Sequence, residues 1–475
     1  MGSGKVRAIC VFGVLGVAAG GCSKGPHSGA VTPYNTVQAS ATATSPVAAS
    51  PAVTTTDLEP TALVSAPSAS TRRVTSFTPS SGSDPSQPVT TQDAFIEFGE
   101  ETEVHDVEAE PDAELLFVVE ADGTFRVLDT SGERPALLRA FSLFPEALGR
   151  ERSLGKLTVI RPDLALLPTQ GTGFEGVALF DPSEARSSDD VTWFDVGALS
   201  ATWPAGATNS QGIDVGQRPL LLTEVSGATV VGDTVFLCAA NLDADGDHNP
   251  GVVLALRLDA AARRLEPRAL IRTSAFNPTG LTRIGDLLFV TNTGSFGQTG
   301  ASVDVIDVRS ARRLDSIEFP ERLADGRVPD PFGPLVVQPG GRSAYVGSLQ
   351  QSRVYTVDLQ ARAFVKAVAL PSAATQNSTR GLTLSQDGAT LFAANTAAGA
   401  VNAIDVDSEQ VTQVAARNPD EGKVQDFVIQ PTRDGGEAVL AVVNDVPSDA
   451  QKKPGVRSSL DQVQLPERAA ATLPR

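Results

Sequence analysis

A unit of about 50 residues recurs through most of the chain, and this repeat limits the possible folds more than any other feature. Each unit has an apolar strand, a small or polar connection, a second alternating strand and a closing aspartate. These aspartates are Asp129, Asp181, Asp259, Asp307, Asp358 and Asp405. Units of this size bury their hydrophobic faces only against their neighbours. The repeat therefore predicts an array of similar sheets.

Two further strands complete each unit. A short apolar strand and a tight turn precede the pair, as in residues 279–286 and 380–388, and a more polar strand such as residues 312–319 follows the aspartate. The Gly-Asp and Asp-Gly pairs in these turns are typical of connections between antiparallel strands. Four antiparallel strands in a unit of this length are typical of a β-propeller blade.

Six units are complete, and a seventh begins with residues 424–432 and 438–445 before the chain becomes polar. Residues 94–99, ahead of the first unit, can supply the strand that the seventh unit lacks. A ring closed by both ends of the chain removes two exposed sheet edges. The sequence therefore predicts an all-β fold, a seven-bladed propeller of four-stranded antiparallel blades, over residues 94–446.

Two stretches of the repeat, residues 287–310 and 382–411, carry a family likeness. Each has a strand that ends in Val-Thr-Asn or Ala-Ala-Asn and a Val-x-x-Ile-Asp segment, and the second has an Asp-Gly turn. Both resemble the YVTN-type β-propeller repeat, and the resemblance covers residues 157–444. It implies a propeller and leaves the activity open, because such propellers serve as adhesion modules, scaffolds, binding proteins and occasionally enzymes.

Residues 1–21 have the features of an export signal. Lys5 and Arg7 precede an apolar run, residues 8–19, that is too short to span a bilayer. The run closes on small residues before Cys22 and resembles a bacterial lipobox, which implies a lipoprotein signal peptide and a lipid anchor on Cys22. The residue after it is Ser23, not the aspartate of inner-membrane retention, which implies the outer membrane. An ordinary cleaved signal with an incidental cysteine is the alternative.

Two segments lack the composition of a folded domain. Residues 22–93 are dominated by Ala, Ser, Thr, Pro and Val and have few large apolar side chains. Because such a segment cannot bury enough surface to offset the entropy of ordering, we expect a disordered tether ahead of the propeller. Residues 447–475 are expected to form a disordered tail.

Long connections concentrate on one face of the predicted propeller. In an up-and-down blade, the connections between second and third strands and those between blades emerge on the same face, which we call the long-loop face. Loops on a rigid scaffold often carry binding residues. Phe174, Asn249 and Phe296 mark the candidate binding loops there. Tolerated loop growth is the alternative for each loop.

One of these connections, residues 241–251, is acidic. Asp243, Asp245 and Asp247 occupy alternate positions, and Gly246 permits a sharp bend. Alternating carboxylates can converge on a hard cation, so the loop predicts a calcium site. An EF-hand would need a glutamate where the chain has Leu254, so the loop resembles the shorter Asp-rich calcium loops of extracellular proteins. A solvated acidic loop is the alternative.

Charge and histidine content restrict the function. The formal net charge of −18 disfavours a nucleic-acid partner. With only His27, His105 and His248, a Ser-His-Asp or multi-histidine metal site is hard to assemble. The sequence favours a monomeric, noncatalytic propeller lipoprotein of the outer membrane that docks an envelope protein or a glycan. A lactonase-like propeller hydrolase or lyase, with or without a metal in its central channel, is the alternative.

Overall fold

A computed structural model describes residues 96–97, 104–109, 115–130, 136–145, 152–171, 175–243, 247–295, 300–371, 378–385, 387–396, 398–416, 423–431, 437–444 and 458–463. Their regular secondary structure is β-strand, apart from one turn of 3-10 helix at Ser188–Asp190. No helix in these ranges is long and apolar enough to cross a membrane. The predicted signal peptide, Cys22 and the whole predicted tether lie outside the described residues.

Antiparallel strands follow one another along the chain in successive sheets. After a short strand, β1 (Ile96–Glu97), the first sheet contains β2 (Val104–Ala109), β3 (Leu115–Glu120), β4 (Thr124–Asp129) and β5 (Ala136–Ser142). The second sheet contains β6 (Arg152–Leu154), β7 (Thr158–Arg161), β8 (Leu164–Gly171), β9 (Gly176–Phe180) and β10 (Thr192–Asp195). A two-stranded sheet of β11 (Ser200–Thr202) and β12 (Pro219–Leu221) comes next.

The second half of the chain repeats the same order. The third sheet contains β13 (Val225–Val231), β14 (Thr234–Ala239), β15 (Pro250–Asp259) and β16 (Arg264–Phe276), and the fourth contains β17 (Pro278–Ile284), β18 (Leu287–Asn292), β19 (Ser302–Asp307) and β20 (Arg312–Glu318). An eight-stranded sheet contains β21 (Pro331–Val337), β22 (Ser343–Ser348), β23 (Arg353–Asp358), β24 (Ala363–Ala369), β25 (Thr379–Leu384), β26 (Thr390–Asn395), β27 (Ala400–Asp405) and β28 (Val411–Ala416). The last sheet contains β29 (Lys423–Pro431), β30 (Glu437–Asn444), β31 (Ser458–Val463) and β1.

The first strand of a sheet lies innermost in the propeller and contacts a strand of the neighbouring sheet. These contacts follow one another around a ring. β13 contacts β17, β17 contacts β21, β21 contacts β25, and β25 contacts β29. β29 contacts β2 of the first sheet, and β13 contacts β8 of the second sheet. This order confirms the predicted all-β propeller of four-stranded antiparallel sheets. However, the described residues form six continuous hydrogen-bonded sheets of at least four strands each, whereas the sequence predicts seven blades.

The last sheet joins the two ends of the described chain. β1 pairs with β31, with Ile96 opposite Leu460, so the predicted strand at residues 94–99 does complete the final sheet. Its partner β31 lies within residues 447–475, which the sequence analysis assigned to a disordered tail. The assigned domain end at residue 446 is therefore too early. The sequence of β31 is Ser-Ser-Leu-Asp-Gln-Val, which has too few apolar residues to predict a strand. Its strand conformation comes from its pairing with β30.

Neighbouring sheets bury aromatic side chains between them. Phe125 in the first sheet has its ring centroid 5.0 Å from that of Phe180 in the second, in an edge-to-face arrangement. Phe319, just after the fourth sheet, makes the same kind of contact with Tyr355 of β23 at 5.6 Å. Aromatic side chains therefore fill the space between these neighbouring sheets, as the repeat predicts.

Close to the ring's inner edge, backbone approaches backbone. A Cβ atom on Gly280 of β17 would lie 2.1 Å from the backbone of Gly333 in β21. A Cβ on Gly155, after β6, would lie 2.9 Å from the carbonyl oxygen of Ser226 in β13. Only glycine permits this approach, because these obstacles are main-chain atoms that cannot rotate away.

Hydrogen bonds tie the same strands together. The Ser226 hydroxyl donates to the Pro278 carbonyl at 2.8 Å, which links β13 to β17. The Leu335 amide of β21 donates to the Thr282 hydroxyl of β17 at 2.7 Å. The Leu157 amide donates to Asp106 Oδ2 at 2.7 Å and links the first two sheets. Short side chains on innermost strands therefore satisfy polar groups of the adjacent sheet.

We expect Gly280→Ala to destabilise the propeller by about 3 kcal/mol, because the new methyl group overlaps the backbone of the next sheet. Gly285→Ala is the control: Gly285 has φ +59° but open space around a Cβ, so the cost is about 1 kcal/mol of backbone strain. Chemical denaturation of both variants measures the difference. Equal losses of stability would contradict the close approach of β17 and β21.

Candidate binding face

Two long connections on the long-loop face pack against each other. One is the segment 200–221, which contains β11 and β12, and the other is the described part of the acidic loop, residues 241–243 and 247–249. We call these residues together the platform. β11 and β12 pair from Ser200 opposite Leu221 to Thr202 opposite Pro219, so the first segment returns on itself before the third sheet begins.

A buried asparagine organises the tip of the first segment. Asn209 is 4% exposed, and its Oδ1 accepts hydrogen bonds from the backbone amides of Gln211 and Ile213, each at 3.0 Å. The Asn209 amide in turn donates to the Ile213 carbonyl at 2.9 Å. This turn holds Ile213 in place with 56% of its surface exposed. A large apolar side chain is thus presented to solvent from a fixed backbone.

Hydrogen bonds join the two segments of the platform. The Ser210 amide donates to the His248 carbonyl at 2.8 Å, and the His248 amide donates to the Ser210 hydroxyl at 3.1 Å. Gln211 Nε2 donates to Asp247 Oδ1 at 2.9 Å. The acidic loop and the segment 200–221 therefore form one surface rather than two independent loops.

Two of the three predicted calcium ligands stabilise the acidic loop. Asp243 Oδ1 accepts from the Asp247 amide at 2.9 Å, and the Asp243 amide donates to the Asp247 carbonyl at the same distance. Asp245 lies outside the described residues. Within the described ranges, no group of three or more His, Cys, Asp or Glu side chains could hold a metal ion. Calcium binding by Asp243, Asp245 and Asp247 stays a prediction.

His248 lies beneath this loop. Its side chain is 2% exposed, and burial lowers its pKa to about 4. The imidazole is therefore neutral at neutral pH, because a buried cation loses its hydration. His248 is therefore a buried, neutral residue of the acidic loop.

A second feature of the long-loop face lies at its inner edge. In four of the repeat units, the carbonyl of the residue directly before the innermost strand accepts a hydrogen bond from the backbone amide that follows the second strand. The pairs are Glu224 with Ala240, Asn277 with Thr293, Asp330 with Leu349, and Ser378 with Thr396, at 2.9 to 3.0 Å. We call Glu224, Asn277, Asp330 and Ser378 the inner-rim residues.

Sequence reasoning missed these positions, although a signal was present. Each inner-rim residue stands three positions before a glycine: Gly227, Gly280, Gly333 and Gly381. That glycine lies on the innermost strand of its unit. The residue three positions before it therefore marks where the innermost strand begins. Aligning the repeats on this glycine would have brought the four polar side chains to equivalent places.

Asp330 is the most extensively bonded inner-rim residue. Its Oδ1 accepts from the hydroxyls of Ser348 and Tyr355, the latter at 2.7 Å. The Gln351 amide group donates to the same oxygen at 3.1 Å, and the Gln350 backbone amide donates to Oδ2 at 2.8 Å. Burial raises the pKa of Asp330, and these donors oppose the rise. The carboxylate thus ties the connection before β21 to that after β22.

Glu224 differs from Asp330 because, among the described residues, no hydrogen bond or charge offsets the burial of its carboxyl group. Burial raises its pKa to about 7. Its backbone has φ +58°, and its amide donates to Glu175 Oε2 at 3.0 Å, so the turn is held by the second sheet. A carboxyl group with a pKa near neutrality is suited to exchange a proton.

The structure separates the other predicted site residues. Cys22, Phe174 and Phe296 lie outside the described residues. Asn249 is only 7% exposed, and its amide donates to the Asn241 carbonyl at 2.9 Å, so it supports the acidic loop from within. The exposed residues that sequence reasoning missed on this face are Ile213 and Leu221, which are 56% and 64% exposed.

Cys238 and the two tryptophans, Trp193 and Trp203, have packing roles. Cys238 is fully buried in β14, and burial raises the pKa of its thiol to about 11, which leaves no thiolate at neutral pH. Trp193 stacks on Phe144 with ring centroids 5.1 Å apart. Trp203 is 3% exposed.

In comparisons with known proteins, no family model and no curated sequence matches the chain.

Glu224 predicts a pH dependence of stability. Because its folded pKa of about 7 lies above the usual 4.5, the folded protein keeps this proton at pH values where the unfolded chain releases it. The contribution of Glu224 to stability therefore falls as the pH rises from about 5 to about 8. Glu224→Gln removes this fall, so the variant gains stability relative to the wild type over that range.

Thermal or chemical unfolding at both ends of this pH range measures the effect. Glu318→Gln, at an exposed glutamate of β20, is the control. A constant difference between Glu224→Gln and the wild type across the range would contradict the raised pKa.

Proposed function

We propose that the chain is a lipid-anchored binding protein of the cell envelope, and that its propeller docks an envelope protein or a glycan without catalysing a reaction. The observation that carries this proposal is Ile213, an exposed apolar side chain on a turn fixed by buried Asn209. Binding is favoured when contact residues are ordered before the partner arrives, because less entropy is lost. Large side chains in fixed positions supply much of the energy of protein interfaces.

The rest of the platform combines apolar and acidic side chains, as expected at a binding surface. Leu221 adds a second exposed apolar side chain, and Asp243 and Asp247 add acidic side chains. Apolar centres with polar rims are typical of protein-protein interfaces.

The finer architecture is also proposed as seven blades. A single residue pair, Ser348 with Thr379, joins the two halves of the eight-stranded sheet, and each half has its own four consecutive strands. The innermost strands β21 and β25 contact each other as do those of separate sheets. Treating the halves as two blades gives seven, in keeping with the resemblance of residues 157–444 to YVTN-type repeats.

The membrane address rests on the N-terminal sequence. Lys5, Arg7, the apolar run and Cys22 fit a lipoprotein signal, and Ser23 favours the outer membrane. A tether of residues 22–93 would hold the propeller away from the lipid surface.

A propeller hydrolase or lyase is the second candidate, and one observation favours it. Glu224 has a pKa of about 7 at the inner end of its sheet, the property of a general acid or base. Asn277 and Asp330 occupy equivalent positions in the next sheets. Turnover of a lactone or glycan substrate that is abolished in Glu224→Gln would establish this candidate.

We expect Cys22→Ser to release the protein from membranes, because the serine hydroxyl cannot accept the diacylglycerol that the sulfur carries. The measurement is fractionation of cells that express each form, with metabolic labelling by a fatty acid. Cys10→Ser is the control and should stay labelled and membrane-bound. Labelling of the Cys22→Ser variant would contradict the anchor.

Ile213→Glu should abolish docking, because a charge replaces the apolar contact. The measurement is affinity capture from envelope extracts, with and without calcium, followed by a binding titration of the recovered partner. Leu314→Glu is the matched control, since Leu314 is 52% exposed on β20. We expect the wild type and the control to retain one stoichiometric partner. Equal recovery by Ile213→Glu would contradict docking through the platform.

A further inference from the structure

A cleft of about 380 Å³ opens on the face opposite the platform. It lies between the two halves of the eight-stranded sheet and is reached past the short turns that follow β21, β23 and β27. Its volume is within the range of small-ligand sites. The binding loops predicted from the sequence all lie on the long-loop face, and the proposed function does not use this cleft.

The floor of the cleft is apolar. Val354, Leu391 and Ile404 line it and are each less than 5% exposed. Tyr345 lies in the same hydrophobic cluster, and among the described residues no group is hydrogen-bonded to its hydroxyl. An apolar wall beside a free hydroxyl and an aromatic ring suits a ligand with a short hydrocarbon body.

The ion pairs at the mouth of the cleft do not include one of its carboxylates. Arg342 Nε pairs with Asp358 Oδ2 at 3.0 Å, and Lys366 pairs with Glu409. Asp407 also lines the cleft, and no cation in the described ranges lies within ion-pair distance of it. Burial raises the pKa of Tyr345, and the charges of Asp407 and Glu409 raise it further, so these carboxylates act on the tyrosine. The cleft therefore has local negative charge next to an aromatic ring.

Asp407 is particular to this blade-like unit. The turn residues two positions after the closing aspartates Asp307, Asp358 and Asp405 are Arg309, Gln360 and Asp407. The equivalent turns of the two preceding units thus carry a cation and a neutral amide. Among these three units, a carboxylate occurs in this position only in the turn that follows β27.

We propose that the cleft binds a primary alkylammonium group, with the hydrocarbon chain on the floor formed by Val354, Leu391 and Ile404 and the ammonium between Asp407 and the ring of Tyr345. An ammonium near a carboxylate and an aromatic face gains both charge attraction and a cation-π contact. Both a free amine and a lysine side chain of a protein supply this chemistry.

The test is a ligand-observed NMR titration of the protein at neutral pH. n-Butylamine is the charged probe, and n-butanol is the neutral control of similar shape. We expect saturable binding of the amine and weaker binding of the alcohol. Asp407→Asn should weaken amine binding roughly threefold, the size of an exposed ion pair. Asp189→Asn, at an exposed aspartate of the 3-10 helix, should leave binding unchanged.

A second arm identifies the source of the amine. Nα-acetyl-lysine amide is compared with its Nε-acetylated form, which lacks the charge. Binding of the lysine probe, lost on Nε-acetylation, supports the proposal with a protein lysine as ligand, and binding of butylamine alone supports it with free amines. The absence of saturable binding by either amine, or equal binding to Asp407→Asn and the wild type, would overturn it. Neither result bears on Ile213 or the platform.

Discussion

Neighbouring sheets touch through the backbones of their innermost strands, and the other features of the molecule follow from this contact. At Gly280 the backbone of Gly333 in the next sheet leaves no space for a Cβ atom. Because the inner edge is so tight while the flat faces carry large side chains such as Phe125 and Phe180, successive sheets diverge outward from the inner edge. Sheets arranged in this way turn about an axis and close when the last meets the first, as β29 meets β2.

The same inner edge fixes the long-loop face. Each inner-rim carbonyl accepts an amide from just beyond the second strand, so the loops begin from anchored positions. Asp330 strengthens this anchor with four donors to its carboxylate. No such donor from the described part of the chain reaches Glu224, which keeps a proton near neutral pH. From these anchors the connections extend outward, and the platform is the place where two of them hold each other through Ser210 and His248.

The sequence was informative where hydrophobic alternation was strong and uninformative where pairing came from a distant segment. The second and third strands of each unit, such as β18 and β19, were evident because their apolar residues repeat and their closing aspartates recur about 50 residues apart in all intervals but one. β31 escaped detection because its pairing with β1 and β30, not its composition, makes it a strand. The burial of Asn249 and the exposure of Ile213 depend on how two loops meet, which no local pattern records. The cleft beside Asp407 arises between two units and was invisible for the same reason.

Closure of the ring by both ends of the chain is the central claim, and an engineered disulfide tests it most directly. Cysteines at Ile96 and Leu460, in protein lacking Cys10 and Cys22, would occupy directly opposed positions of β1 and β31. Opposed antiparallel residues have Cα atoms about 4.5 to 5.5 Å apart, within reach of a disulfide. Mild oxidation should link them within one molecule, which non-reducing electrophoresis detects, and a pair at Ile96 and Gln413 should stay unlinked. Failure of the first pair to form, or equal linkage of both, would contradict a ring closed by these two strands.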